Sequence, residues 1–335
     1  MREAFGRVIQ QGNGLLVVLG DGSEVDSVCT GGFDLLDAQF TPARLAELAK
    51  MDGAIVVDDA TTRLTRANVH LMPDSSIATG ETGSRHRTAE RVAKQTGKPV
   101  VSISEDRAVA TLFHGESKHE LESPAELTTK VNQQLHTLER FRRGLDEAET
   151  RATELEITDL MTYRWVVTLL QKAELVARIA DQVERDLVGL GGEGTLARLQ
   201  LADLMQGVGE TRYLVVRDYA KRLTKKTVAA TLDALAGLST NALQEPETVA
   251  TALGFEHPDL HTRPRGLRLL SQVPRVPETV QSDVVKHFGD LQRLLRASVE
   301  DLSKVSGVGR ARAQQLWNFL DRLAELAGQS DDGLG

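Results

Sequence analysis

The spacing of apolar residues changes near residue 123. Before it, short apolar runs alternate with polar stretches; after it, apolar residues recur at intervals of three and four. Leu15–Leu19 is an apolar run ending at the turn Gly20-Asp21-Gly22, and Ala54–Val57 is a second, which predicts a buried strand. Between them Thr41-Pro42, a capping residue followed by proline, predicts a helix running to about Lys50. Another helix is predicted from Ser84 to Gly97, with Lys98-Pro99 just beyond it. Val100–Ile103 and Ala108–Phe113 flank Glu105-Asp106-Arg107 and read as strand, tight turn, strand. Residues 1–122 therefore predict an α/β or α+β domain with a mixed sheet.

Ser123-Pro124-Ala125-Glu126 is a capping box with proline at the first helical position. Leu127, Val131, Leu135, Leu138 and Phe141 follow at helical spacing, and residues 123–262 predict an all-α spine with helical patterns to about residue 255. The only marked break is Gly189-Leu190-Gly191-Gly192-Glu193-Gly194. It spells G-x-G-x-x-G, but a helix rather than a strand precedes it, so it reads as an interhelical loop. Glu245-Pro246-Glu247 and the stretch from His257-Pro258 to Arg263-Pro264-Arg265 mark the approach to a third module over 263–330. That module has two similar halves: Val273-Pro274-Arg275-Val276-Pro277 leads into one helix, and Val305-Ser306-Gly307-Val308-Gly309-Arg310 into another. The second is the better specimen of a helix-hairpin-helix. Ser306, Gly307, Val308, Gly309, Arg310 and Arg312 are its candidate DNA-binding residues, because the backbone N–H groups of such a turn hold a phosphate without reading bases.

With 335 residues, 41% of them apolar, the chain is long enough for two or three domains with cores of their own. No apolar run approaches the roughly 20 residues of a membrane span, and Met1-Arg2-Glu3-Ala4 lacks the apolar core of a signal peptide. A cytoplasmic protein without a membrane partner is the expectation, and the single cysteine, Cys29, excludes an internal disulfide or a cysteine-based zinc cluster. The net charge of −8 argues against a nucleic-acid partner until it is divided along the chain. Residues 261–330 carry 11 Lys/Arg against 7 Asp/Glu, whereas residues 1–260 carry 29 against 39. A basic module on an acidic body suits a nucleic-acid reader attached to an enzyme or oligomer.

The candidate chemistry lies at Gly83-Ser84-Arg85-His86-Arg87-Thr88-Ala89-Glu90. Three basic or potentially basic side chains open a helix whose dipole and free N–H groups favour an anion, and a phosphate would resolve that conflict. Asp52, in Lys50-Met51-Asp52-Gly53-Ala54, stands at the mouth of a predicted strand and is a metal-ligand candidate; Gly53 would let a ligand approach the backbone. A carboxylate able to hold a divalent ion and a basic helix N-terminus are complementary needs of a nucleoside triphosphate. Four other features read as structural. His114 and His119 around Gly115-Glu116-Ser117 read as a loop, Glu105 and Asp106 as a solvated turn, Trp165 and Trp317 as core, and Asp146–Glu149 as a solvated helix face.

Asp52-Gly53-Ala54 and Arg85-His86-Arg87, at their spacing, resemble the two signature motifs of the diadenylate cyclases. The likeness extends from Asn68-Val69-His70-Leu71 through Arg91 and includes Ile103-Ser104. The order of cyclase domain, helical spine and helix-hairpin-helix tail is similar to that of the DNA-integrity-scanning members of the family. Ser84 stands where threonine is common, and the chain begins inside what the resemblance makes the first helix, so a short N-terminal stretch of the family would be absent. The resemblance implies condensation of two ATP molecules into cyclic di-AMP with release of pyrophosphate. Asp52 would hold a catalytic Mg²⁺ or Mn²⁺, Gly53 would lie against the nucleotide and Leu71 would present backbone groups to the adenine. Ser84, Arg85, His86, Arg87 and Thr88 would hold the triphosphate, Ser104 would reach its terminal phosphate, and Arg107 would add a cation. Each nucleotide attacks the other, so two half-sites must face one another and a homo-oligomer, an octamer in this family, is implied; the tail would bind branched or junction DNA and regulate the activity. The competing reading is a non-catalytic DNA-binding repair scaffold whose N-terminal domain senses nucleotide.

Overall fold

The computed structural model describes residues 1–220, 224–255 and 257–331. They form two compact units, Met1–Asn132 with Arg185–Leu196, and Gln133–Glu184 with the chain from Ala197 onward.

In the first unit α1 (Arg2–Gln10), β1 (Leu15–Leu19), α2 (Ser23–Asp26), β2 (Cys29–Thr30), β3 (Phe33–Gln39), α3 (Pro42–Leu48), β4 (Ala54–Val57), β5 (Arg63–Leu71), α4 (Ser84–Thr96), β6 (Val100–Ser104), β7 (Val109–His114) and β8 (Ser117–Leu121) follow in order. The strands make one mixed sheet, β2-β5-β4-β1-β6-β7-β8, with β3 also paired to β5; β1 and β4 run parallel and the other pairs antiparallel. Alternation decides the two faces. Leu15 and Val17 of β1 and Ile55 and Val57 of β4 pack with Phe5 and Val8 of α1 and Leu45 of α3. Val18, Ala54 and Val56 point the other way, to Ala89, Val92 and Ala93 of α4. Burial on both faces makes the central strands read as unbroken apolar runs. The caps follow the sequence: Thr41 accepts from the Arg44 N–H at 3.2 Å, and α4 ends on Gly97, left-handed at φ 69°.

Four strands left no apolar run, among them β2, which is only two residues long. β5 changes register at a bulge, with Asn68 at φ 54°, so its alternation is broken. β3 is similarly irregular between Asp34 and Ala38. Ser117-Lys118-His119-Glu120-Leu121 forms the exposed edge strand β8, so His114 and His119 lie on the two strands of a hairpin rather than in a loop.

After β8 come α5 (Pro124–Ile157), α6 (Tyr163–Leu190), a 3₁₀ turn at Gly191–Gly194, α7 (Thr195–Leu204), α8 (Val208–Tyr219), α9 (Lys225–Gly237), α10 (Thr240–Gln244) and α11 (Pro246–Ala252). Ser123 and Glu126 form the expected reciprocal cap, at 2.9 and 3.3 Å. The glycine-rich segment is thus mostly helical, and a break the apolar period does not mark falls at Thr158–Thr162. There Asp159 adopts φ 59°, its carboxylate held by Arg263 at 2.6 Å and its carbonyl by His261 at 2.7 Å; no glycine or proline announces the turn because distant residues impose it. Trp165, expected in the core, is 37% exposed, and Val166 and Val167 take the buried positions. Trp317 does pack against the core of the C-terminal module. Among the described residues no helix is long and apolar enough to cross a membrane.

The chain closes with α12 (Leu267–Leu270), α13 (Glu278–Phe288), α14 (Leu291–Leu295), α15 (Val299–Ser303) and α16 (Arg310–Asp331) around a core that includes Leu269, Val284, Leu302 and Leu316. Buried charges tie this module to α5 and α8. Asp218 accepts from the N–H groups of Gly266, Leu267 and Arg268 at 2.7–2.9 Å, and Glu156 accepts from Arg268 at 2.6 Å and from Tyr219 at 2.7 Å.

Candidate functional site

α4 starts where it does because glycine at 83 is extended, at φ −80° and ψ 146°, and the chain turns helical at Ser84. Gly83 has no side chain to cap with and the first turn holds no acid. The Arg87 N–H is the first to find a helical carbonyl, Gly83 O at 2.9 Å. The amides of Ser84, Arg85 and His86 are therefore open, the arrangement that favours an anion.

The three basic residues of that turn have separate fates. Arg85 is already neutralised, its guanidinium 3.3 Å from Asp52 and 3.5 Å from Glu105. His86 turns inward and is 6% exposed: Nδ1 lies 3.4 Å from Ser102 Oγ, and the ring meets Phe113 edge-on with centroids 6.1 Å apart. Burial pushes its pKa down, only partly opposed by Glu81, so His86 is neutral at pH 7, and among the described residues its buried Nε2 has no partner. Arg87 is exposed, and no side-chain partner for it is seen among the described residues. The electrostatic conflict inferred from three basic residues is thus smaller than expected: one is neutral, one is paired and one is free.

Asp52 sits on the turn before β4 with its side chain 99% exposed, and among the described residues Arg85 is its one ion-pair partner. Gly53 has a cause inside the protein. Its N–H donates to Asn68 Oδ1 at 3.1 Å, and a Cβ there would overlap the Asn68 backbone. The left-handed turn at Asn68 brings β5 this close, so the expected open approach at Gly53 is filled by the neighbouring strand. Gly14, which the sequence did not single out, performs the corresponding service for Arg85, because a Cβ on it would overlap the guanidinium. Leu15 pairs with Ile103, so Gly14 enters β1 at the level where Ser104 leaves β6.

Ser104 Oγ accepts from the Arg107 N–H at 3.2 Å and closes the turn whose Glu105 reaches Arg85. Arg107 itself lines a cavity of about 210 Å³ with Phe5, Ile9 and Leu121, and no ion pair joins it to the site's carboxylates among the described residues. Ser84 is exposed, Thr88 half-buried, and Leu71 ends β5 opposite Cys29 with its side chain in the core beside Ala89. The described residues contain no group of three His, Cys, Asp or Glu side chains able to hold a metal, at His114 and His119 or elsewhere.

The C-terminal module repeats itself position for position. Val273 and Val305 donate to Leu270 O and Leu302 O, Gln281 and Ala313 to Pro277 O and Gly309 O, and Arg275 at φ 60° stands where Gly307 has φ 77°. The hairpins lie side by side: Gln315 Nε2 donates to Pro274 O at 2.8 Å, and Arg275, Gly309, Arg310 and Arg312 line one shallow hollow. Of the six residues expected to meet DNA, Ser306, Gly307, Gly309 and Arg310 are exposed. Val308 is 4% exposed, its side chain in the core and its N–H spent on Val305 O, while Arg312 turns back to the carbonyl of Gly307 and staples the hairpin. Pro277, in the place of Gly309, has no N–H to offer, so the first hairpin presents Arg275 instead.

Residues 2–118 match the family described as DisA bacterial checkpoint controller nucleotide-binding, residues 121–260 its linker region, and residues 268–325 the helix-hairpin-helix motif. The DNA integrity scanning protein DisA of Kineococcus radiotolerans is 46% identical over 330 residues, 97% of this chain and 92% of that protein. Those of Acidothermus cellulolyticus and Streptomyces griseus are 44% and 46% identical, again over 97% of this chain and over 90% and 88% of their own lengths. The chain belongs to the DisA family. Its fold is that of a DisA protein: a mixed-sheet nucleotide-binding domain, a helical linker region and a helix-hairpin-helix module. In this DisA chain three residues of the two surfaces carried no sequence signal strong enough to find them. Gly14 and Asn68 matter only through contacts made across the sheet, and Arg275 only through the pairing of the two hairpins.

Proposed function

We propose that the protein is a diadenylate cyclase that condenses two ATP molecules into cyclic di-AMP and is governed by a DNA-binding tail, organised as a cyclase domain over 1–122, a spine over 123–262 and a tail over 263–330. The observation that carries this reading is the uncapped N-terminus of α4, with Arg85 and Arg87 beside it and Asp52 3.3 Å from Arg85. Open amides, two guanidinium groups and a carboxylate are what a metal-bound triphosphate requires. Ser84, Arg85, Arg87 and Thr88 hold the phosphates and Ser104 the terminal one, while neutral His86, its ring buried, offers them its open backbone N–H. Leu71 presents backbone groups to the adenine, Gly53 fixes the Asp52 turn against the nucleotide through its N–H bond to Asn68, and Arg107 adds a more distant charge.

Mg²⁺ or Mn²⁺ fits the donor set. One exposed carboxylate, Asp52, with oxygens from the substrate is how Mg²⁺ is commonly held, in preference to an all-protein cage. Bound there, the ion would neutralise charge on the triphosphate. Each 3′-hydroxyl attacks the α-phosphorus of the other nucleotide: two O–P bonds form, two phosphoanhydride bonds break, two pyrophosphates leave, and each hydroxyl loses its proton. Positioning and charge neutralisation supply the catalysis, so no protein nucleophile is needed. The α4 surface holds one nucleotide, so a second protomer must face it, and an octamer satisfies this. Ser306, Gly307, Gly309 and Arg310, with Arg275, grip phosphates of branched DNA without a base code.

The test is incubation with ATP and Mg²⁺ or Mn²⁺, with and without junction DNA, and mass-spectrometric identification of the product. Cyclic di-AMP is expected, and Asp52→Asn should abolish it while the fold is kept. ATP binding without turnover in the metal-supplied oligomer would favour the nucleotide-sensing scaffold.

A further inference from the structure

Met72–Gly83 leads from β5 to the open end of α4 with no regular secondary structure. Its last five residues, Thr79-Gly80-Glu81-Thr82-Gly83, have the small, polar composition of a flexible connection. Four side chains of α4 nevertheless hold the segment. Glu90 accepts from the Thr79 hydroxyl at 2.5 Å and from the Gly80 N–H at 3.2 Å, and the same hydroxyl accepts from the Glu81 N–H at 3.1 Å. Arg91 donates to Ile77 O at 2.8 Å, Lys94 to Ala78 O at 3.2 Å, and Gln95 accepts from the Asp74 N–H at 2.9 Å.

Glu90 is the contact nearest the site. Its side chain is 17% exposed and also paired with Lys94 at 3.0 Å, so its carboxylate has no water-facing task. Its effect is to order Thr79–Glu81. Glu81, so ordered, is itself 13% exposed, pairs with Lys118 of β8 at 2.6 Å, and is the main charge acting against the burial of His86. Two residues on is Gly83, which, lacking a cap side chain, depends on its approach segment to fix where Ser84 begins.

We propose that Glu90 is a positioning residue for the nucleotide site: by holding Thr79, Gly80 and Glu81 it fixes the entry of the chain into α4 and keeps the amides of Ser84, Arg85 and His86 aimed at the triphosphate. The proposal rests on the diadenylate cyclase reading above. Neither Glu90 nor Thr79 need touch nucleotide, so their loss acts on geometry rather than on charge beside the phosphates.

The test compares the parent with Glu90→Ala, Glu90→Gln and Thr79→Val in the full-length protein. Two measurements are made: hydrogen exchange of the amides of residues 79–86 without nucleotide, and affinity for 3′-deoxyATP, which lacks the attacking hydroxyl. Removing hydrogen bonds to a charged acceptor should speed exchange and weaken binding about tenfold in Glu90→Ala, with a smaller change of the same kind in Thr79→Val. Glu90→Gln keeps an acceptor for Thr79 and Gly80 and should retain most of the affinity. KM for ATP should rise more than kcat falls. Parent-like exchange or parent-like affinity in Glu90→Ala would overturn the positioning role, as would equal loss in Glu90→Gln accompanied by a matching drop in thermal stability. If the parent fails to bind 3′-deoxyATP, the nucleotide reading falls and takes this one with it; faster exchange in Glu90→Ala would then still mark the segment as held by Glu90.

Discussion

Replacing Gly14 by alanine isolates the position of Arg85 from its charge. Gly14 is buried, its φ lies outside the left-handed region, and the atoms a Cβ would overlap are the guanidinium of Arg85, the free end of a flexible side chain. The backbone can therefore stay while Arg85 moves. The displaced guanidinium gives up its ion pairs with Asp52 at 3.3 Å and Glu105 at 3.5 Å, and such pairs at the surface contribute about 0–1 kcal/mol, so thermal stability should barely change. Binding should change more. Moving a guanidinium from about 4 Å to about 6 Å from a phosphate, at an effective dielectric of about 20, costs about 1.4 kcal/mol, or about tenfold in affinity. Equilibrium binding of 3′-deoxyATP to the parent, Gly14→Ala, Arg85→Ala and the double variant measures this directly. The double variant should bind no worse than Arg85→Ala alone, because both changes act through one side chain. Parent-like affinity in Gly14→Ala, or additive losses in the double variant, would refute the view that Gly14 exists to seat Arg85 at the phosphates.

Glu156→Ala should strip Arg268 of its buried partner and cost about 3–5 kcal/mol in urea unfolding; a loss below about 1 kcal/mol would show that the pair is not what joins α5 to the tail. Both tryptophans, Trp165 and Trp317, lie in the second unit, so their fluorescence follows its unfolding. Burial, and then the charge of Glu156, raise the Asp218 carboxyl from 3.8 to about 7 against the pull of its N–H donors. The folded state keeps a proton that the unfolded chain releases, so this stabilisation is complete below pH 3.8 and is lost as pH rises through about 7. Urea midpoints of this unit should fall between about pH 4 and pH 7 and level off above, and Asp218→Asn should flatten the trend. In the tail, Arg275→Ala and Arg310→Ala should each weaken binding to junction DNA and lower its salt dependence by about one charge, with no change in sequence preference. An unchanged salt slope would place the phosphates elsewhere.

Local sequence was sufficient wherever an element is fixed by its own residues. Apolar runs on the central strands, Thr41-Pro42, Ser123–Glu126 and Gly97 placed strands, helix starts and a helix stop, because period, caps and left-handed glycine act over a few residues. The basic turn at Arg85-His86-Arg87 and the carboxylate at Asp52 were legible for the same reason. What folding alone decided depends on distant neighbours. β5 is hidden by the bulge at Asn68, β8 by its exposure, and the turn at Asp159 by its dependence on Arg263 and His261. The fates of the basic residues belong to this class as well. His86 is neutral because Phe113 and Ser102 close over it, Arg85 is paired because Gly14 makes room beside Asp52, and Arg312 is spent on the Gly307 carbonyl. The chain's sequence determined which residue types stand at the site. Burial and close approach across the sheet, which no local pattern encodes, decided which of them are charged, paired or free.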